Sequence, residues 1–203
     1  MGMAKPLKIM ISAGELSGDQ YGADVVRALR ERMPDVDVRG MGGSKLRAAG
    51  VDTVVDAEAA AGVMGFAEVF AKLGRVLQAL RTMKGLIQSF RPDVLVLVDF
   101  PDFNLRLARF AKQLGIPVFY YISPKVWVWR RERIELFRRY VDHMAVVFPF
   151  EPQFLATHGF ARVSYVGHPL LDRIEAGAVT APKTMLADMN VPQDSTTLAL
   201  MLG

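Results

Sequence analysis

Between Pro92 and Pro101 the chain reads DVLVLVDF, and the five aliphatic residues from Val94 to Val98 have no room to be a helix. They predict a strand. With no polar residue alternating among them, that strand is buried on both faces, as in a parallel sheet covered by helices on two sides. The rest of the chain repeats the theme. Short apolar runs at 7–11, 37–39, 53–55, 118–121, 144–147 and 163–166 alternate with helical patterns at 18–33, 65–90, 104–114, 130–141 and 151–158. Val25, Val26, Leu29 and Met33 line one face of the first helix. The 65–90 tract is expected to break near Gly74, and Ser44 to cap a short helix that Gly50 ends. Such alternation predicts an α/β fold with a doubly wound parallel sheet.

Composition narrows the function classes. A hydrophobic content of 51% over 203 residues gives ample core and excludes disorder. The excess of 25 Lys and Arg over 21 Asp and Glu, a net +4, is too small to argue for nucleic acid. There is no cysteine and there are only three histidines, so thiol chemistry is excluded and a metal site would need carboxylates. The start, MGMAKPLKIMIS, has no signal-peptide stretch. No apolar run reaches the roughly 18 residues of a membrane span, so a soluble protein is expected. Residues 3–175 read as one domain. Residues 176–203 read as a linker and, at 197–202, the first strand of a second domain.

In an open parallel sheet, ligands bind beyond the carboxyl ends of the strands. The segments that follow those ends are SAGELSGD, DFPDFN, SPKVWVWR, PFEP and GHPLLD, each mixing Gly or Pro with polar or aromatic residues. One rim is therefore the working rim. In the first loop, Gly14 and Gly18 allow a tight turn, and the helix-start amides near Ser17 can hold a phosphate or a sugar hydroxyl. Glu15 and the lack of a G-x-G-x-x-G pattern count against a dinucleotide; the alternative is a turn capped by Ser17 or Asp19. Asp99 reads as a cap, as a metal ligand lacking obvious partners, or as a general base for a substrate hydroxyl. Asp102 is expected to shape and cap the next helix, leaving Asn104 to touch substrate. Trp127 and Trp129 share a side if extended, as a core anchor or as a ligand platform. His168 is either a turn residue or a partner for a hydroxyl or phosphate.

Taken together, AGELSGD, GMGG, MGFAEV, VDFPDFN, YYISPKVWVW, FPFEPQF and VGHPLLD resemble the lipid-A-disaccharide synthase family of Gram-negative bacteria. The likeness runs essentially from Leu7 to Gly203, departing slightly at SAG ahead of Glu15. It implies the Rossmann-like N-terminal half of a GT-B inverting glycosyltransferase. Such an enzyme joins UDP-2,3-diacylglucosamine to 2,3-diacylglucosamine 1-phosphate, forming a β-1,6 disaccharide and UDP. The family uses no metal or cofactor for this. The resemblance makes Asp99 the candidate base, assigns the UDP-sugar to the second domain, and implies that residues 1–203 alone are inactive. It also implies a cytoplasmic enzyme held peripherally at the inner membrane, with no nucleic-acid partner and with room for an oligomer in the full-length protein.

A membrane role has its own sequence support. Residues 64–90 carry Lys72, Arg75, Arg81 and Lys84 against Glu68, among apolar Phe66, Phe70, Leu73 and Leu77. Apolar residues on more than one helical face read as an interfacial patch, or alternatively as a core helix with a solvated basic face. Two rival functions stay open: a UDP-sugar epimerase of similar architecture, and a non-catalytic lipid- or nucleotide-binding module.

Overall fold

The structure is a computed structural model that describes residues 5–57 and 66–172, with backbone alone over 66–73. In order, it contains β1 (Lys8–Ala13), α1 (Leu16–Arg32), β2 (Asp37–Gly42), α2 (Ser44–Ala48) and β3 (Asp52–Asp56). Then follow α3 (Phe66–Phe90), β4 (Val94–Val98), α4 (Pro101–Gln113), β5 (Val118–Tyr121), α5 (Arg133–Tyr140), β6 (His143–Val146), α6 (Glu151–Thr157) and β7 (Val163–Tyr165). The strands form one sheet in the order β3-β2-β1-β4-β5-β6-β7, every pairing parallel. This is the expected doubly wound α/β fold.

The period of two along each strand divides the core. Ile9, Ile11, Val96 and Val98 pack with Val26 of α1 and Leu46 of α2. Met10, Leu95 and Leu97 pack on the other face with Met83 and Ile87 of α3, Leu107 of α4 and Phe137 of α5. Burying a side chain of that size contributes about 1.5–3 kcal/mol, which is why β1 and β4 read as unbroken apolar runs.

Three local expectations are corrected. Helix α3 is continuous from Phe66 to Phe90: Gly74 is exposed, and one glycine costs only about 1 kcal/mol against the tertiary packing of Met83, Ile87 and Phe90. Helix α4 begins at Pro101 rather than Asn104, because proline suits a first helical turn whose N–H would be unpaired anyway. The N-cap of α2 is Gly43, not Ser44. The capping carboxylate comes from α1: buried Asp19 accepts the N–H groups of Gly43, Lys45 and Leu46 at 2.6, 2.9 and 3.2 Å.

The chain divides into two compact units, Met1–Gly167 and His168–Gly203. The expected boundary at 175 and the strand at 197–202 lie outside the described residues.

Candidate active site

Strands β1 and β4 are neighbours in the sheet, yet their chains continue in opposite directions across it, toward β2 and toward β5. This is the switch point where open α/β sheets form a crevice. The final pairing between the two strands is Ala13 with Val98. Gly14-Glu15 and Asp99-Phe100 therefore leave the sheet side by side, with α1 starting at Leu16 and α4 at Pro101. The rim expected from sequence sits here.

Asp99 is half-buried. Burial, and next the charge of Glu15, raise its carboxyl above the ordinary value, against a hydrogen bond from the Phe100 N–H and the charge of Lys125. Both Asp99 and Phe100 adopt left-handed backbone, φ 44° and 47°, a conformation that costs on the order of 1–3 kcal/mol for a residue with a side chain. Asp99's carbonyl accepts the Tyr120 hydroxyl at 2.6 Å and the Asn104 Nδ2–H at 2.7 Å. A carboxylate with raised basicity, fixed at the mouth of a crevice, can take a proton from a hydroxyl brought against it.

The other candidates separate. Gly14 lies under the Phe100 ring, with no room for a side chain. Glu15 and Ser17 are exposed on the rim; Glu15 is the N-cap of α1, without a side-chain capping bond. Asn104 is fully buried and spends its amide on internal partners, accepting from Ser12 Oγ at 2.7 Å and donating to the Ser12, Val98 and Asp99 carbonyls. Its expected substrate contact is thus corrected to a structural tie. Asp102 does not cap α4, whose N-cap is Phe100. It lies in the first turn and pairs with Arg130 at 3.1 Å and Arg133 at 2.5 Å.

The two tryptophans part because residues 126–129 form turns rather than extended chain. Trp127 packs edge-on against Phe148 and Phe150, while Trp129 is 58% exposed beneath the guanidinium groups of Arg130 and Arg133. His168 opens the second unit; its Nδ1 accepts the Leu170 N–H at 3.2 Å, a turn contact.

Sequence reading left Phe100, Tyr120, Lys125 and the Ser123–Glu151 pair without roles. Glu151 is fully buried. One of its oxygens accepts the Ser123 hydroxyl, and the other accepts the Val147 and Phe148 N–H groups at 3.1 and 2.8 Å. Burial nevertheless keeps this carboxyl above its ordinary value. The pair ties the start of the Lys125-bearing loop to the end of β6. Its sequence signal was an acid in the first turn of a helix, directly after the FPF run that follows a buried strand.

In α3, Ala79, Leu80, Met83, Ile87 and Phe90 are buried, and Arg75, Arg81 and Leu77 are exposed. From residue 74 onward one side of the helix is thus packed in the core and the other is exposed, Leu77 at 37% being its exposed large apolar side chain. The side chains of Phe66, Phe70, Lys72 and Leu73 lie outside the described residues. No helix among the described residues is long and apolar enough to cross a membrane. No cluster of three His, Asp or Glu able to hold a metal ion occurs among them either.

The fold is a doubly wound, Rossmann-like α/β sheet with a carboxylate at its switch point. Among solved structures, UDP-GlcNAc 2-epimerase from Neisseria meningitidis bound to UDP-GlcNAc is similar with a TM-score of 0.58 at 12% identity, over 95% of this chain and 55% of that one. The glycotransferase of kitacinnamycin is similar with a TM-score of 0.57 at 17% identity, over 88% and 56%. Identities this low carry the fold alone. The chain belongs to the lipid-A-disaccharide synthetase family, whose model matches residues 9–203. It is 48% identical to lipid-A-disaccharide synthase of Geobacter metallireducens over 86% of this chain and 45% of the relative. With the Myxococcus xanthus enzyme of that name it shares 43% identity over 99% and 51%. The chain spans about half the length of the curated relatives it matches.

Proposed function

We propose that this chain is the acceptor-side half of an inverting hexosyltransferase. The reaction joins UDP-2,3-diacylglucosamine to 2,3-diacylglucosamine 1-phosphate, giving the β-1,6 lipid A disaccharide 1-phosphate and UDP. The observation that carries the reading is the half-buried Asp99 carboxyl, raised in basicity, at the switch point of a chain in this family. A sugar hydroxyl becomes a strong nucleophile only as its proton leaves. Asp99 accepts the proton of the acceptor's 6-hydroxyl while the oxygen attacks the donor's anomeric carbon. The bond to UDP breaks on the opposite face, and configuration inverts.

Glu15 and Ser17 are exposed on the rim beside Asp99 and are assigned to acceptor hydroxyls, with Gly14 shaping the turn beneath Phe100. Trp127 is assigned to the sugar, and His168, which belongs to the second unit, to a hydroxyl or phosphate. The acyl chains call for an apolar place, which supports peripheral attachment to the inner membrane through α3, with Arg75 and Leu77 on its exposed face. Residues 1–203 alone are expected to bind acceptor weakly without releasing UDP, since orienting the donor and stabilising UDP fall to the remainder of a protein as long as its relatives.

The test is Asp99→Asn in the full-length protein, following UDP release with both substrates. Turnover should fall about 10²-fold or more, the scale of a lost general base, with acceptor binding nearly unchanged. Near-normal turnover would move the base elsewhere, with Glu15 next. Turnover of a UDP-sugar without the acceptor would favour the epimerase reading.

A further inference from the structure

We propose that Tyr120 and Asn104 are positioning residues that hold the Asp99 carboxyl in place by clamping its main-chain carbonyl; the inference rests on the reading of Asp99 as the base. Asp99 and Phe100 are consecutive left-handed residues, φ 44° and 47°, and neither is glycine. Such a pair persists only where the surroundings over-determine it. They do so here from four elements. The Asp99 carbonyl accepts the Tyr120 hydroxyl of β5 and the Asn104 amide of α4, at 2.6 and 2.7 Å. The Asp99 N–H donates to the Tyr121 carbonyl at 3.1 Å, and the Phe100 carbonyl accepts the Asn104 N–H at 3.0 Å. Asn104 is in turn fixed to β1 by Ser12 and to β4 by the Val98 carbonyl.

The consequence is the direction of a side chain. Leu95 and Leu97 pack into one core face, Val96 and Val98 into the other. Parity would send residue 99 to the face of Leu95 and Leu97. The left-handed backbone at Asp99 and Phe100 ends the extended geometry on which that alternation depends, so the turn and not strand parity sets where the half-buried carboxyl points. Tyr120 suits the task because its phenol is fully buried, and burial holds its pKa well above the ordinary value, so it remains a donor. Two donors on one carbonyl make the geometry stiff, which is what a general base requires of its scaffold.

The test uses Tyr120→Phe in the full-length protein with UDP-2,3-diacylglucosamine and 2,3-diacylglucosamine 1-phosphate. The ring stays and one donor goes. The expected result is a fall in kcat of roughly 10-fold or more, with KM for both substrates within about twofold. The acid limb of the pH profile of kcat/KM should move as well, a change that mere loss of folded protein does not produce. In an Asp99→Asn background, Tyr120→Phe should cause no further loss, because it acts through Asp99. Asn104→Leu, close in size and without a donor or a charge, is the second variant and should give the same signature. Thermal melting of each variant separates rate loss from unfolding. Wild-type kcat and pH profile in a folded variant, or an equal loss in the Asp99→Asn background, would overturn the clamp. A fully active Asp99→Asn would sink the base and the clamp together, whereas an inactive Asp99→Asn beside an active Tyr120→Phe would sink the clamp alone.

Discussion

The Phe100 ring occupies the space that a side chain on Gly14 would need: a Cβ there would lie 2.2 Å from the ring's Cδ1. The two residues lie just beyond the ends of the neighbouring strands β1 and β4, so this contact packs the two rim turns against each other. Phe100 also packs, tilted, against Phe103 with ring centroids 5.4 Å apart, which limits its escape. Gly14→Ala should therefore destabilise the protein by about 1–3 kcal/mol, the usual cost of overpacking. Adding Phe100→Ala should recover part of that loss. Chemical denaturation of the single and double variants checks this, and strict additivity would show that the two residues are not coupled.

Asp19 makes a second long-range tie. Its carboxylate takes three N–H groups at the start of α2, while Gly42 passes close enough that a Cβ would come 3.1 Å from its Oδ1. Asp19→Ala leaves buried donors without partners, and should cost about 1–3 kcal/mol. Asp19→Asn should recover only part, since one side of the amide presents N–H groups to N–H groups. Melting temperatures of the two variants decide the matter.

Much of the architecture is legible in the chain because burial on both faces writes apolar runs such as VLVLV. The order of those runs, with helices between, is enough for a doubly wound sheet. What the residue string hides is distance and backbone sign. Asp19 looks like a cap for its own helix because its partners lie 24 to 27 residues away. Asn104 resembles a ligand-binding amide at a strand end, yet a polar side chain that satisfies carbonyls inside the core has the same signature. Neither Asp99 nor Phe100 is a glycine, so nothing in their letters marks left-handed backbone. The tryptophans of VWVW could be placed together only by assuming extended chain, which the turns at 126–129 deny.

Membrane attachment through α3 makes a separable prediction. Its exposed face carries Arg75, Arg81 and Leu77. Basic side chains near an anionic surface contribute about 1 kcal/mol each and are screened by salt. Arg75→Gln with Arg81→Gln should weaken sedimentation of the protein with anionic phospholipid vesicles at low salt. Leu77→Ser should weaken it at every salt concentration. Vesicle binding unchanged in all variants would leave this part of α3 as a core helix with a solvated face.

Asp99 itself should be a place where stability has yielded to function. Its native carboxyl is raised above the ordinary value, chiefly by burial and then by Glu15. A folded state whose carboxyl holds its proton more tightly than the unfolded chain binds more protons between the two pKa values, so stability falls as pH rises through that interval. The loss begins near the ordinary carboxylate pKa, about 4, and is complete once pH passes the raised native value. Asn cannot ionise, and its oxygen still accepts the Phe100 N–H. Asp99→Asn should therefore melt at a higher temperature than wild type at neutral pH, with the gap closing as pH falls toward 4. Activity should move the opposite way: the wild-type rate should decline on acidification at a higher pH than an ordinary Asp would give, and the variant should lack that limb. Melting curves and rates across the same pH series measure both. A variant that is less stable at neutral pH, with a gap that does not change with pH, would show that the charge on Asp99 carries no cost in the folded protein.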